Sequence, residues 1–195
     1  MTRLQLFGVG ALGLAVLAAF VGTPVPPRPG QIDVNQLAGM IAREEDHVTA
    51  IDLASWIKDR KAGLRVIDVR RAEAFDDFHI PTAENVPLPS LSHAAFKATD
   101  TLVLYSDGGA HAAQAWVLLR SLGYSRVYFL RGGLGEWLDD VMNPVIPAHA
   151  APDLKETFKR TVELSEYFGG HPTEGDRPPA TPTSQRIEAM KRRGC

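Results

Sequence analysis

Thr101-Leu102-Val103-Leu104-Tyr105 is five residues without a charge, and it runs straight into Ser106-Asp107-Gly108-Gly109. A strand that is apolar at every position has no solvent face, so it is covered on both sides. After the glycines, Ala112, Ala115, Trp116 and Leu119 recur at helical spacing until Gly123, and Val127–Leu130 is apolar again. Strand, short turn, helix, short turn, strand is the pattern of a parallel α/β sheet with helices on both faces. Leu64–Val69 reads as another buried strand ending at Asp68, Asn85–Leu88 as a short one, and Leu134–Val141 as a short final helix.

Upstream, Val34, Leu37, Met40 and Ile41 mark a short amphipathic helix over Val34–Arg43. Thr49 with Asp52 three residues on resembles a capping box that opens a helix bearing Leu53, Trp56 and Ile57. Downstream, Leu154–Phe168 carries Leu154, Phe158, Val162, Leu164, Ser165 and Phe168 along one broad stripe, an amphipathic helix stopped by Gly169-Gly170. From His171 onward Pro, Thr, Ser and charged residues dominate, and a flexible polar tail is expected.

The N-terminus sets the expected location. Leu4–Gly22 is apolar apart from Gln5, with no charge between Arg3 and Arg28. As a helix it would reach ~28 Å, close to the ~30 Å hydrocarbon core of a bilayer. Val16-Leu17-Ala18 and Val21-Gly22-Thr23 are poor substitutes for an A-x-A cleavage site, so an uncleaved membrane anchor is expected. Soluble secretion after cleavage is the alternative. Either way the domain lies outside the cytoplasm. Pro24, Pro26, Pro27 and Pro29 then form an extended linker. The expected organisation is an anchor or signal over 1–23, linker and short helix over 24–47, a domain over 48–143, the amphipathic helix over 144–170 and the tail over 171–195.

Composition narrows the function classes. A net charge of −2 and no basic cluster within residues 30–170 leave no electrostatic footprint for nucleic acid. The six histidines show no H-x-H or H-E-x-x-H spacing, so no metal is expected, and no motif calls for a cofactor. The one cysteine, Cys195, is the final residue of the sequence, which excludes a disulfide within the chain.

Ligands of open parallel sheets sit at the carboxyl ends of the strands. Three stretches should converge there: Ile67-Asp68-Val69-Arg70 with Glu73, Phe75 and His79-Ile80-Pro81; Leu104-Tyr105 with the loop Ser106-Asp107-Gly108-Gly109-Ala110-His111; and Leu130-Arg131-Gly132-Gly133 with Trp137. Their order and separation resemble the rhodanese homology domain over about Val48 to Val141. The resemblance implies a parallel five-stranded sheet flanked by helices, and a chemistry that passes a sulfane sulfur through a persulfide on a cysteine heading a six-residue loop. That cysteine's position is Ser106 here. A hydroxyl is a poor sulfur acceptor and cannot hold a persulfide. Asp107 at the loop mouth opposes thiolates and anionic donors. Phe78 and Thr82 stand where the family commonly has glycine. Asp68 and Arg70 are expected to form an architectural ion pair, with His79 supporting.

Serine hydrolysis at Ser106 is disfavoured, because Leu104 replaces the leading glycine of G-x-S-x-G and His111 follows only five residues later. Ala112 likewise breaks a C-x5-R phosphatase pattern. The expected function is a membrane-tethered binding module for an unidentified protein or small sulfur compound, without ordinary sulfurtransferase activity. The alternative is a sulfur carrier using Cys195, which lies beside Lys191, Arg192 and Arg193. A free tail of this length has an end-to-end distance of roughly 25–30 Å, enough to visit Ser106.

Overall fold

The computed structural model describes residues 33–146, 152–175 and 187. The apolar run 4–22 and Cys195 lie outside them. Among the described residues no helix is long and apolar enough to cross a membrane.

The described chain opens with α1 (Val34–Ala42), whose N-cap Asp33 accepts from the backbone N–H groups of Asn35 and Gln36. Next come β1 (His47–Val48) and α2 (Ala50–Lys58). Thr49 caps α2 as its sequence suggests, accepting from Asp52 N at 3.1 Å and donating to the Asp52 carboxylate at 2.7 Å. There follow β2 (Leu64–Asp68), α3 (Ala72–Asp77), β3 (Glu84–Asn85), a 3₁₀ turn at Leu88–His93, β4 (Thr101–Tyr105), α4 (Gly109–Ser121) and β5 (Val127–Leu130). A helix α5 (Gly133–Glu136) widens into a π-turn over Trp137–Met142. The described part closes with β6 (Val145–Ile146), α6 (Pro152–Tyr167) and β7 (Thr173–Glu174).

The sheet runs β1-β5-β4-β2-β3, all parallel, with Leu64 to Asp68 in register with Thr101 to Tyr105. β4 is central and buried along its whole length, which is why its sequence shows no alternation. Its side chains divide between two cores, as the two-residue period of a strand requires. Val103 and Tyr105 join Val66, Leu130, α2, Trp137 and Leu164 of α6. Leu102 and Leu104 join Ile67, Val127 and the Ala112-Ala115-Trp116-Leu119 stripe of α4. Trp116 Nε1 also donates to Val127 O at 2.8 Å, fixing α4 against β5.

Several expected elements shift. The strand expected over Asn85–Leu88 is shorter and one residue earlier, because Pro87 and Pro89 offer no N–H to continue a ladder. β1, β6, β7 and the short α3 carry too few residues for any period to register. Two points in the stretch expected to be a flexible tail are held in the fold. Thr173–Glu174 pairs in parallel with Val145–Ile146, and Ile187 is only 8% exposed within the Trp137 core. A lone apolar residue in a polar stretch makes no stripe, yet one side chain suffices to anchor a chain.

The His79-Ile80-Pro81 segment ends in a tight turn, with Ala83 N donating to Ile80 O at 3.0 Å. Thr82 has φ 69° there. Pro81 before it and a positive φ after it define a type II turn, whose third position favours glycine. A β-branched residue is strained in that conformation. Thr82→Gly is therefore expected to raise stability by about 1 kcal/mol, read as a later midpoint in urea unfolding with unchanged slope.

Candidate functional site at the end of the central strands

Asp68 and Tyr105 end the neighbouring strands β2 and β4 in register, so the chain turns from both at the same edge. Asp68 is fully buried, and its carboxylate accepts from Arg70 N at 2.9 Å, Arg70 Nε at 3.0 Å and Arg70 Nη2 at 2.6 Å. The short Asp-Val-Arg spacing permits this because the strand ends at Asp68 and the backbone bends back on itself. Arg70 Nη2 also donates to Phe78 O at 2.6 Å, and Nη1 donates to Asp107 at 3.2 Å. Asn85 Nδ2 donates to the carbonyls of Asp68 and Arg70, so β3 is tied to the same corner.

Burial alone would lower the Arg70 pKa, but the Asp68 carboxylate outweighs it and holds the guanidinium above its ordinary value. Burial and then Asp68 push the Tyr105 hydroxyl well above the usual phenol range. That hydroxyl accepts from Ile80 N at 3.1 Å and stays neutral. The cluster is thus a charged pair with a phenol attached, built to hold segments together and not to move protons.

The loop that begins at Ser106 is locked from behind. Ser106 O accepts from Leu134 N at 2.8 Å and Asp107 O accepts from Gly135 N at 3.0 Å. The two segments approach closely enough that a Cβ on Gly133 (φ 60°) would fall 2.5 Å from Ser106 O, which explains the glycine in the Gly132-Gly133 motif. Ser106 is 3% exposed, and its hydroxyl donates to Gly108 O. Helix α4 begins already at Gly109, so Gly109, Ala110 and His111 of the expected loop belong to its first turn. Over Gly108 the space is open.

The convergence expected of the three stretches is present in the Asp68–Arg70–Asp107 and Ser106–Leu134 contacts. Two residues stand apart from it. His79 Nδ1 bonds Phe75 O at 3.0 Å, and its ring stacks on Phe75 at 4.0 Å between centroids. His111 is exposed on α4. The role of Asp107 is also different from the expected one: its carboxylate is engaged by Arg70 and is not simply a free charge at the mouth. Tyr105 and Asn85 lie in strands expected from the sequence, which gives neither a bonding role; the register of β2, β3 and β4 brings both to this corner. Among the described residues no cluster of His, Cys, Asp and Glu could hold a metal ion.

A serine hydroxyl becomes a nucleophile when a base accepts its proton. Ser106 gives its proton to a carbonyl, so the arrangement does not activate it.

The fold and this corner place the chain among α/β proteins with their site at the carboxyl edge of a five-stranded parallel sheet. Residues 49–140 match the family model described as the rhodanese-like domain, and the chain carries a rhodanese-like domain there. It is 28% identical over 116 residues to a probable adenylyltransferase/sulfurtransferase, MoeZ, of Mycobacterium tuberculosis, covering 54% of this chain and 29% of MoeZ. It is 34% identical over 80 residues to the uncharacterized protein YqhL of Bacillus subtilis, covering 40% of this chain and 62% of YqhL. The human single-domain sulfurtransferase TSTD1 superposes with a TM-score of 0.44 at 30% identity, over 48% of this chain and 95% of that one. The match thus spans under a third of the length of MoeZ and under two thirds of YqhL.

Removing one partner of a buried ion pair strands the other. Arg70→Leu is expected to cost about 3 kcal/mol, whereas Asp107→Ala, at an exposed carboxylate, should cost less than about 1 kcal/mol. Urea unfolding of the two variants checks the ranking; equal costs would mean that Asp107 carries as much of the corner as Arg70.

Proposed function

We propose that this chain is a membrane-tethered rhodanese-like binding module that does not perform ordinary sulfur transfer. The observation that carries this reading is Ser106, which stands where the resemblance implies the persulfide cysteine. It is buried, and it donates its proton to Gly108 O. A hydroxyl in that state neither attacks sulfur nor holds it. The match to MoeZ spans only 29% of that protein, so the activity of the whole protein is not carried over from it.

The ligand side of the module is the open space over Gly108, flanked by Asp107. Asp107 keeps Arg70 occupied, which disfavours a small anion and favours a neutral or cationic group of a partner protein. The tether is the apolar run 4–22 with its Pro-rich linker, which places the domain on the exported side. The alternative, sulfur carried on Cys195, is weakened by the anchoring of Ile187. Eight residues follow Ile187, with a typical span of only roughly 15 Å.

The test is thiocyanate formation from thiosulfate and cyanide by the full chain in detergent. No product above buffer is expected, for the native protein or for Ser106→Cys. In the variant the new sulfur would face a carbonyl oxygen, a setting that opposes a thiolate. Robust turnover by Ser106→Cys would show an intact catalytic cradle and overturn the binding reading.

For the tether, the protein is expected to remain in the pellet after carbonate extraction of membranes, with residues beyond about 30 open to protease from the exported side. A soluble product beginning near residue 19 or 24 would establish a cleaved signal peptide instead.

A further inference from the structure

The sequence holds a single Asp-Gly pair, Asp107-Gly108, and no Asn-Gly pair. The chemistry that such a pair permits is intramolecular. A backbone nitrogen reaches the side-chain Cγ of the residue before it and closes a small ring, provided its own residue brings no side chain into the way. Glycine meets that condition, having no Cβ and a wide choice of backbone angles. Every other aspartate is followed by a larger residue, such as Val69 after the buried Asp68.

The structure leaves this pair accessible. The Asp107 side chain is 65% exposed. Gly108 stands just ahead of α4 in an extended conformation, so the helix ladder does not hold its N–H. Gly108 N donates to no group among the described residues, and nothing lies within 4 Å of where a Cβ would stand. A free amide nitrogen, an exposed carboxylate and room for water thus meet at one peptide. Two contacts oppose ring closure. Arg70 Nη1 donates to Asp107 Oδ1 at 3.2 Å, and Gly135 N donates to Asp107 O at 3.0 Å. The first holds the carboxylate that must swing toward the nitrogen, and the second holds the peptide that must turn.

We propose that Asp107-Gly108 is a site of spontaneous covalent modification, the conversion of aspartate to isoaspartate, and that Arg70 restrains it. Gly108 N forms a bond to Asp107 Cγ and loses its proton. One carboxylate oxygen leaves as water, carrying that proton and a second one taken from solvent. Water then opens the cyclic imide, and a proton returns to solvent. Opening at Cγ restores aspartate, whereas opening at the Asp107 backbone carbonyl carbon gives isoaspartate. No oxidant or reductant enters. The main chain now runs through Cβ and Cγ and is one carbon longer, and the former Asp107 carbonyl becomes a free carboxylate. The mouth of the loop beside Gly108 is thereby reshaped. The reaction requires no partner and is independent of what the module binds.

The full-length chain in detergent is aged at body temperature and neutral pH. The peptide that contains Asp107 is followed by liquid chromatography with electron-transfer fragmentation, which distinguishes the two isomers of equal mass. Isoaspartate is expected at Asp107 ahead of every other aspartate. Gly108→Ala, whose added Cβ has open space, should lose nearly all of it. Arg70→Lys keeps a positive charge for Asp68 but lacks the fork that reaches Asp107. Its rate should rise about threefold or more, as release of one charge-assisted hydrogen bond at an exposed carboxylate allows. Leu53→Ala loosens the buried core from α2 without touching the loop, and should stay at the native rate. No isoaspartate at Asp107 in the folded chain, an equal yield in Gly108→Ala, an unchanged rate in Arg70→Lys, or a rise in Leu53→Ala as large as in Arg70→Lys would each overturn the proposal.

Discussion

The corner of this domain depends on one buried guanidinium. Arg70 neutralises Asp68 at the end of β2, holds the Phe78 carbonyl after α3 and reaches Asp107 at the head of the loop after β4. Three segments are thereby brought to one point, and the buried Asp68 carboxylate gains its countercharge there. A buried pair of this kind adds little net stability compared with apolar packing. Its effect is on geometry: the carboxylate admits only a conformation of the Asp-Val-Arg bend that returns the guanidinium to it.

The same corner holds the polar groups of the loop. Its carbonyls are taken by the N–H groups that open α5, its serine is turned onto its own backbone, and its acidic residue is claimed by Arg70.

The central strands and α4 were legible because β4 is apolar without interruption and Ala112, Ala115, Trp116 and Leu119 keep a helical period. Burial on two faces and on one face leave different marks in a sequence, and both were present at useful length. The Asp68–Arg70 pair was legible for another reason: charges at the end of a buried strand need partners. What escaped were features made by proximity across the fold. The two-residue strands have no period, the engagement of Asp107 depends on where β2 ends relative to β4, and Ile187 is one apolar residue among polar ones. His79 illustrates the converse: its motif places it near the site, while its ring has a nearer neighbour in Phe75.

The pairing of β6 with β7 has a mechanical consequence. The two strands flank α6 and run parallel, with His171 N bonded to Met142 O and Thr173 N to Pro144 O. Tension applied along the chain between the domain and the residues beyond Gly175 pulls the two strands at opposite ends. Their hydrogen bonds are then loaded side by side in shear, and they do not unzip one after another. While the clasp holds, such a load passes from β7 to β6 and on into the domain, and α6, the segment between them, bears it only once the clasp gives way.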